Sequence, residues 1–272
     1  MIPSIETCLV RGPRRKLTSR DKRAGSQAIA TCTTFTLGID GCRAGWIAAG
    51  WYGPGSVPAF TLLRNFTFDR LRDAGLAHAR QIAIDIPIGL PESGRRACDL
   101  AARSALPPGT RSRVFLDLRR PLLRYLPDDY RSANAWGKAD GKGLSKQAWF
   151  ILPKVAEVDA AVTPADQVLL REVHPEVIFH RLSAGAPLPS KKTRLGQGIR
   201  LELLADAGLA LASGWERQFL RRDVQLDDLI DAAGCALAAH RIGEGQLRAL
   251  PLGGFGGASG RDGRGLAMEI WG

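Results

Sequence analysis

The chain has 272 residues, 45% hydrophobic and 24% charged, a composition that excludes disorder throughout and fits an ordinary globular protein. Its length suits one large domain, or one domain with an embedded insertion, and excludes a long multidomain array. Lys and Arg total 38 against 27 Asp and Glu, a formal net charge of +11, which favours an anionic partner such as nucleic acid without requiring one.

The segment RGPRRKLTSRDKRAGSQ, Arg11 to Gln27, is polar, basic and without apolar periodicity, so residues 1–33 are expected to form a basic flexible extension before a domain spanning residues 34–272. The first 30 residues lack the continuous apolar segment of a secretory signal, and no apolar run approaches the ~20 residues of a membrane span. A cytoplasmic protein without a membrane partner is expected. The five cysteines, Cys8, Cys32, Cys42, Cys98 and Cys235, are odd in number and form no C-x-x-C pair. Reduced thiols are therefore expected, rather than a disulfide framework or a zinc knuckle.

From Thr34 the pattern changes. FTLGID (Phe35 to Asp40), GWIAAGWYG (Gly45 to Gly53) and AFTLLRNF (Ala59 to Phe66) predict three strands joined by turns bearing Gly and Pro. Phe68 to Ala79 predicts a helix, and QIAIDIPIGLP (Gln81 to Pro91) opens with a buried strand, which makes the order β-β-β-α-β. Residues 94–160, rich in Arg, Pro and Asp, predict a largely helical insertion with long connections. VLLREVHPEVIF (Val168 to Phe179) predicts a strand ended by Pro175, and the basic stretch SKKTRLGQGIR follows at Ser190 to Arg200. Asp227 to Ile242 is an Ala-rich helix whose acidic first turn suits the positive end of its dipole. PLGGFGGASGRDGRG then reads as a flexible loop, and Leu266 to Trp271 as a terminal strand.

Asp40 closes the first apolar strand and Asp85 follows QIAI. Carboxylates at the carboxyl ends of buried strands are costly unless paired, hydrogen-bonded or bound to a cation. Asp228 and Asp231, spaced i, i+3, share one face of the last helix. If that helix docks beside the two strands, four carboxylates converge, a set suited to two Mg²⁺ or Mn²⁺ ions clamping a phosphodiester. Taken singly, Asp228 and Asp231 are ordinary first-turn helix carboxylates and Asp85 a strand-end cap; their joint occurrence favours the metal. Glu172, His174 and Glu176 alternate along REVHPE, so either one of them joins the cluster or they form an exposed polar face at a sheet end. Arg95, Arg96, Arg103, Arg111 and Arg113, with Lys191, Lys192, Arg194 and Arg200, form two basic clusters able to hold a polyanion. Individually each is better explained as part of a solvated basic surface. G-x-S-x-G and G-x-x-x-x-G-K-[ST] are both absent from the sequence, and GGFGGASGRDG lacks the flanking strand and helix of a dinucleotide fingerprint.

GIDGCRAGW, DIPIGLPESGRRACDLAAR, RSRVF, GLSKQAWFILPKVAEVD, REVHPEVIF, SKKTRLGQGIR and DDLIDAAGCALAA occur in that order. Over about residues 35–272 the chain thereby resembles domain-of-unknown-function family 429, whose members are described as predicted nucleases of the ribonuclease H-like superfamily. The resemblance implies an α/β, ribonuclease H-like fold, with a central mixed five-stranded sheet flanked by helices. In the Holliday-junction resolvase branch, acidic residues lie on the first strand, on the fourth strand and as a D-x-x-D pair on the last helix. By resemblance those roles fall on Asp40, Asp85, Asp228 and Asp231, with Asp85 where those resolvases have Glu. Glu176 lies in the family's own HPE motif and is counted with the catalytic residues.

The expected activity is a Mg²⁺- or Mn²⁺-dependent nuclease acting on DNA or RNA by a two-metal mechanism. Asp40 would bridge the ions, and Arg96, Arg113, Lys191 and Lys192 would position phosphates. Two alternatives are an actin-like or sugar-kinase-like phosphotransferase, from the likeness of GIDG to a phosphate loop, and a nucleic-acid-binding module that does no catalysis.

Overall fold

The computed structural model describes residues 34–251 and 260–272. The expected extension over residues 1–33, Cys8 and Cys32 within it, and residues 252–259 of the expected Gly-rich loop lie outside the described residues.

A five-stranded sheet is built from β1 (Thr36–Cys42), β2 (Gly45–Trp51), β3 (Ala59–Leu63), β4 (Gln81–Ile84) and β5 (Leu170–Glu172) in the order β3-β2-β1-β4-β5. β2 runs antiparallel to β1 and β3, whereas β1, β4 and β5 pair in parallel. The sheet is covered on both faces, which is why β2 is buried at every position and its sequence, GWIAAGW, does not alternate with polar residues.

Around the sheet lie α1 (Phe68–Asp73), α2 (Ala97–Ala105), α3 (Tyr130–Ala139), α4 (Lys146–Ala161), α5 (Pro175–Leu182), α6 (Arg194–Asp206) and α7 (Leu226–Gly243). On one face Leu37, Ile39, Ile82 and Ile84 pack against Leu152, Val155 and Val158 of α4. On the other, Ile47, Ala49 and Trp51 meet Ala232, Ala233 and Ala236 of α7. Small side chains let α7 settle directly on β1: a Cβ at Gly38 would stand 2.0 Å from Ala236 N and 2.2 Å from Ala232 O. Beside this contact Thr36 Oγ1 donates to the Ala236 carbonyl at 3.2 Å.

Three expected elements differ. The helix from Phe68 stops at Asp73, because Gly75 adopts φ +72° and the Leu76 N–H reaches back to Leu71 O at 2.7 Å, closing the helix end. The strand expected over Val168 to Phe179 is only Leu170–Glu172, and Pro175 opens α5 instead of merely ending the strand. A proline at the first helical position gives up no needed N–H and already has helical φ. The terminal strand shrinks to β7 (Ile270–Trp271), paired with β6 (Ala249–Leu250). Cys42, Cys98 and Cys235 are buried and free. Among the described residues no helix is long and apolar enough to cross a membrane.

Candidate functional site

Strand alternation fixes which side chains face α7. Gly38 and Ala83 are register partners on β1 and β4, and Gly38 touches α7 while Ala83 packs with Cys235 and Ala238. Two residues further, on the same face, stand Asp40 and Asp85, and the Asp85 N–H donates to Ile39 O at 2.9 Å, continuing the ladder. From α7, Asp231 lies next to the Ala232 contact with Gly38 and is 1% exposed. Asp40, Asp85 and Asp231 thus come together at the carboxyl ends of two parallel strands, beside a cleft of about 430 Å³ lined in part by Asp40, Asp85, Arg113, His174, Glu176 and Lys191.

The carboxylates feel one another. Burial raises Asp40 well above the usual carboxylate range, and Asp85 and Asp231 raise it further. Burial also raises Asp85, against the pull of His174 and Lys191. Asp231 is pushed up to about 6 by burial, opposed by Lys191. Lys191 Nζ donates to Asp231 Oδ2. Burial by itself would favour neutral lysine, but Asp231, Asp40 and Asp85 outweigh it and hold the ammonium charged.

Glu176, on the first turn of α5, belongs to a separate pairing. Arg200 Nη2 donates to its Oε2 at 3.0 Å, and Arg113 meets its Oε1. Burial would raise this carboxyl, yet the two guanidiniums hold it below its ordinary value. β5 ends at Glu172, so strict strand alternation does not run through Glu172, His174 and Glu176; all three still line the cleft, with Glu172 paired to the buried Arg96.

The expected phosphate role of Arg96 is corrected by its partners, and Lys192 and Asp228 also have partners of their own. Arg96 was expected at phosphate, but its side chain is wholly buried, with Nη2 2.5 Å from Glu172 Oε2 and 3.6 Å from Asp99 Oδ1. Lys192 is two-thirds exposed and pairs with Asp227 at 2.5 Å, outside the cleft lining. Asp228 is held by a capping box, its Oδ2 accepting the Gln225 N–H at 2.8 Å, while its charge still acts on Asp40. Burial, with Asp227 beside it, still pushes Asp228 up to about 6.

A family model described as "Protein of unknown function (DUF429)" matches residues 38–253, including Asp40, Asp85, Glu176, Lys191 and Asp231. The chain belongs to the DUF429 family. No curated protein and no solved structure matches it. The family description names no chemistry, so the site has to be read from its own groups.

Among the described residues no three Asp, Glu, His or Cys side chains stand together as a ready metal ligand set. The donors nevertheless suit a hard divalent cation, since Asp40, Asp85 and Asp231 offer only carboxylate oxygens. Asp231 Oδ1 is moreover buried without a hydrogen-bond partner.

Lys154 has no role in the sequence reading, and Arg200, expected in a basic cluster able to hold a polyanion, is instead wholly buried against Glu176. Lys154 lines the cleft, donates to Gly45 O at 2.5 Å and lies over the Trp46 ring. The i, i+4, i+7 spacing of Gln147, Ile151 and Lys154, all cleft residues on α4, was the available signal. Arg200 carried no local signal as the buried partner of Glu176, because that pairing spans two helices.

Proposed function

We propose that this DUF429 chain is a divalent-metal-dependent phosphodiesterase of ribonuclease H-like type that acts on DNA or RNA. The observation that carries the reading is the meeting of Asp40, Asp85 and Asp231, from β1, β4 and α7, at one end of a cleft that also holds Arg113 and Lys191. The strand order β3-β2-β1-β4-β5 with β2 reversed supports the superfamily assignment.

Asp40, Asp85 and Asp231 would hold the ion, with Asp228, whose Oδ2 accepts the Gln225 N–H, offering at most its other oxygen. When bound, a divalent ion polarises a phosphoryl oxygen and acidifies water. Arg113 and Lys191 are the cleft cations able to reach a phosphate oxygen, and Glu176, through its bond to Arg113, positions that guanidinium. Burial first, and then repulsion from Asp85 and Asp231, raises Asp40 and gives the site a reason to take up positive charge.

A non-catalytic nucleic-acid module draws less support, since buried carboxylates repel a polyanion unless a cation joins them. Such a module would also leave the converging buried carboxylates of Asp40, Asp85 and Asp231 without a role.

The test is cleavage of single- and double-stranded DNA and RNA oligonucleotides by the full chain with Mg²⁺ or Mn²⁺. Asp40→Asn and Asp85→Asn are expected to lower the rate about a hundredfold or more. Wild-type protein without activity on any of the four substrates, or variants that cleave like wild type, would sink the proposal.

A further inference from the structure

We infer that Lys191 is the internal counter-ion of the carboxylate site, an ammonium that holds Asp231, Asp40 and Asp85 together without metal and yields its place when a divalent cation binds. The inference rests on the metal-dependent reading above and adds how that site is regulated.

The cleft contains other cations, and their partners separate them from Lys191. Arg113 is bonded to Glu176, which Arg200 also neutralises. Lys154 is tied to the Gly45 carbonyl and stacked over Trp46. Lys191 alone among these reaches Asp231, and its ammonium also faces Asp40 and Asp85. One ammonium bonded to a single oxygen serves three buried carboxyl groups, and Asp231 Oδ1 remains without a partner. A divalent ion supplies twice the charge and can accept oxygens on several sides, which an ammonium bonded to Asp231 Oδ2 does not do.

The backbone around Lys191 makes the exchange a side-chain movement. Lys191 sits in a turn before α6 where Thr193 N–H and Oγ1 both donate to Ser190 O, at 3.0 and 2.8 Å. Gly196 closes on the same carbonyl so tightly that a Cβ there would stand 2.1 Å from it. The turn is therefore anchored, whereas the lysine stem is 29% exposed beside the cleft and free to change rotamer. Released from Asp231, the ammonium stays at the cleft, where an incoming phosphate is the natural new partner. Metal and phosphate would then favour each other's binding.

The experiment compares thermal melting of full-length wild type, Lys191→Met and Lys191→Gln, in chelator and across a Mn²⁺ titration. Lys191→Gln still hydrogen-bonds Asp231 and so guards against a variant that simply fails to fold. Both variants are expected to reach half of the Mn²⁺-induced shift at a concentration about tenfold or more below wild type. A lysine of purely structural importance would lower the melting temperature in chelator and leave that midpoint alone. Equal or higher midpoints in the variants overturn the inference and leave the metal site standing. A Mn²⁺ response absent from all three proteins overturns both.

Discussion

Two charge clusters in this molecule are built from similar parts and differ in what they allow. In the first, Arg96 sits wholly buried among Glu172, Asp99 and Cys98, with Nε and Nη2 at 3.3 and 3.0 Å from the sulfur and the Ile88 N–H adding a second donor to Glu172. In the second, Lys191 serves Asp231, Asp40 and Asp85 from the edge of a cleft. A guanidinium fork satisfies several acceptors in one fixed plane, while an ammonium on a four-carbon stem makes a point contact. Arg96 therefore joins α2 to β5 as a permanent fixture, and Lys191 leaves its cluster open to exchange.

The contrast is broken most directly at Arg96. Arg96→Met strands Glu172 and Asp99 in the interior and is expected to cost about 3–5 kcal/mol, measured by urea unfolding at pH 9, where Glu172 is charged. A loss under about 1 kcal/mol, of the size seen for surface pairs, would show that the buried cluster is no fixture.

Next in size is a pH effect in the same cluster. Burial, opposed by Arg96, raises Glu172 to about 8. Its folded-state value then lies above its ordinary one near 4.5, so the folded protein retains a proton that the unfolded chain loses between those values. Stability contributed by Glu172 is accordingly lost as pH rises through that window. Glu172→Gln removes the titration, and melting curves from pH 5 to 9 should show the variant gaining on wild type as pH rises. A constant difference between them would mean that Glu172 is ionised throughout.

Asp231→Asn sharpens the other side of the comparison. Loss of the pairing with Lys191, partly offset by relief of repulsion in the acidic cluster, should lower stability in chelator by about 1 kcal/mol, while the Mn²⁺-dependent rise in melting temperature falls away. An undiminished Mn²⁺ shift removes Asp231 from the site. The smallest effect belongs to Lys192→Ala: its exposed pair with Asp227 should be worth about 0–1 kcal/mol, with the Mn²⁺ response unaltered.

Much of this arrangement was legible in the chain. Strand periodicity located Asp40 and Asp85, and the small-residue run after Asp231 foretold close packing of α7, because each depends on spacing within one element. Asp228 shows how a second local pattern can join the first. Its i, i+3 relation to Asp231 pointed to a shared face, and its i, i+3 relation to Gln225 made it a capping residue as well. Pro175 was ambiguous for a related reason, since the same ring stops a strand and starts a helix. Arg96 could not be placed at all from its neighbours, because its decisive partner, Glu172, is 76 residues away. A cluster of arginines looks solvated until the acid that buries one of them is known.

The contact at Gly38 has a bearing on how such a protein can change over time. The spacing between the strand that carries Asp40 and the helix that carries Asp231 is set by peptide atoms touching peptide atoms, a separation that no side-chain replacement elsewhere readily lengthens. The apolar layers on either side of the sheet can drift in identity and volume while this gauge stays fixed. Tolerance of core mutations and accuracy of carboxylate placement are thus kept apart, and the glycine at position 38, which carries no reactive group, is where the two would be lost together.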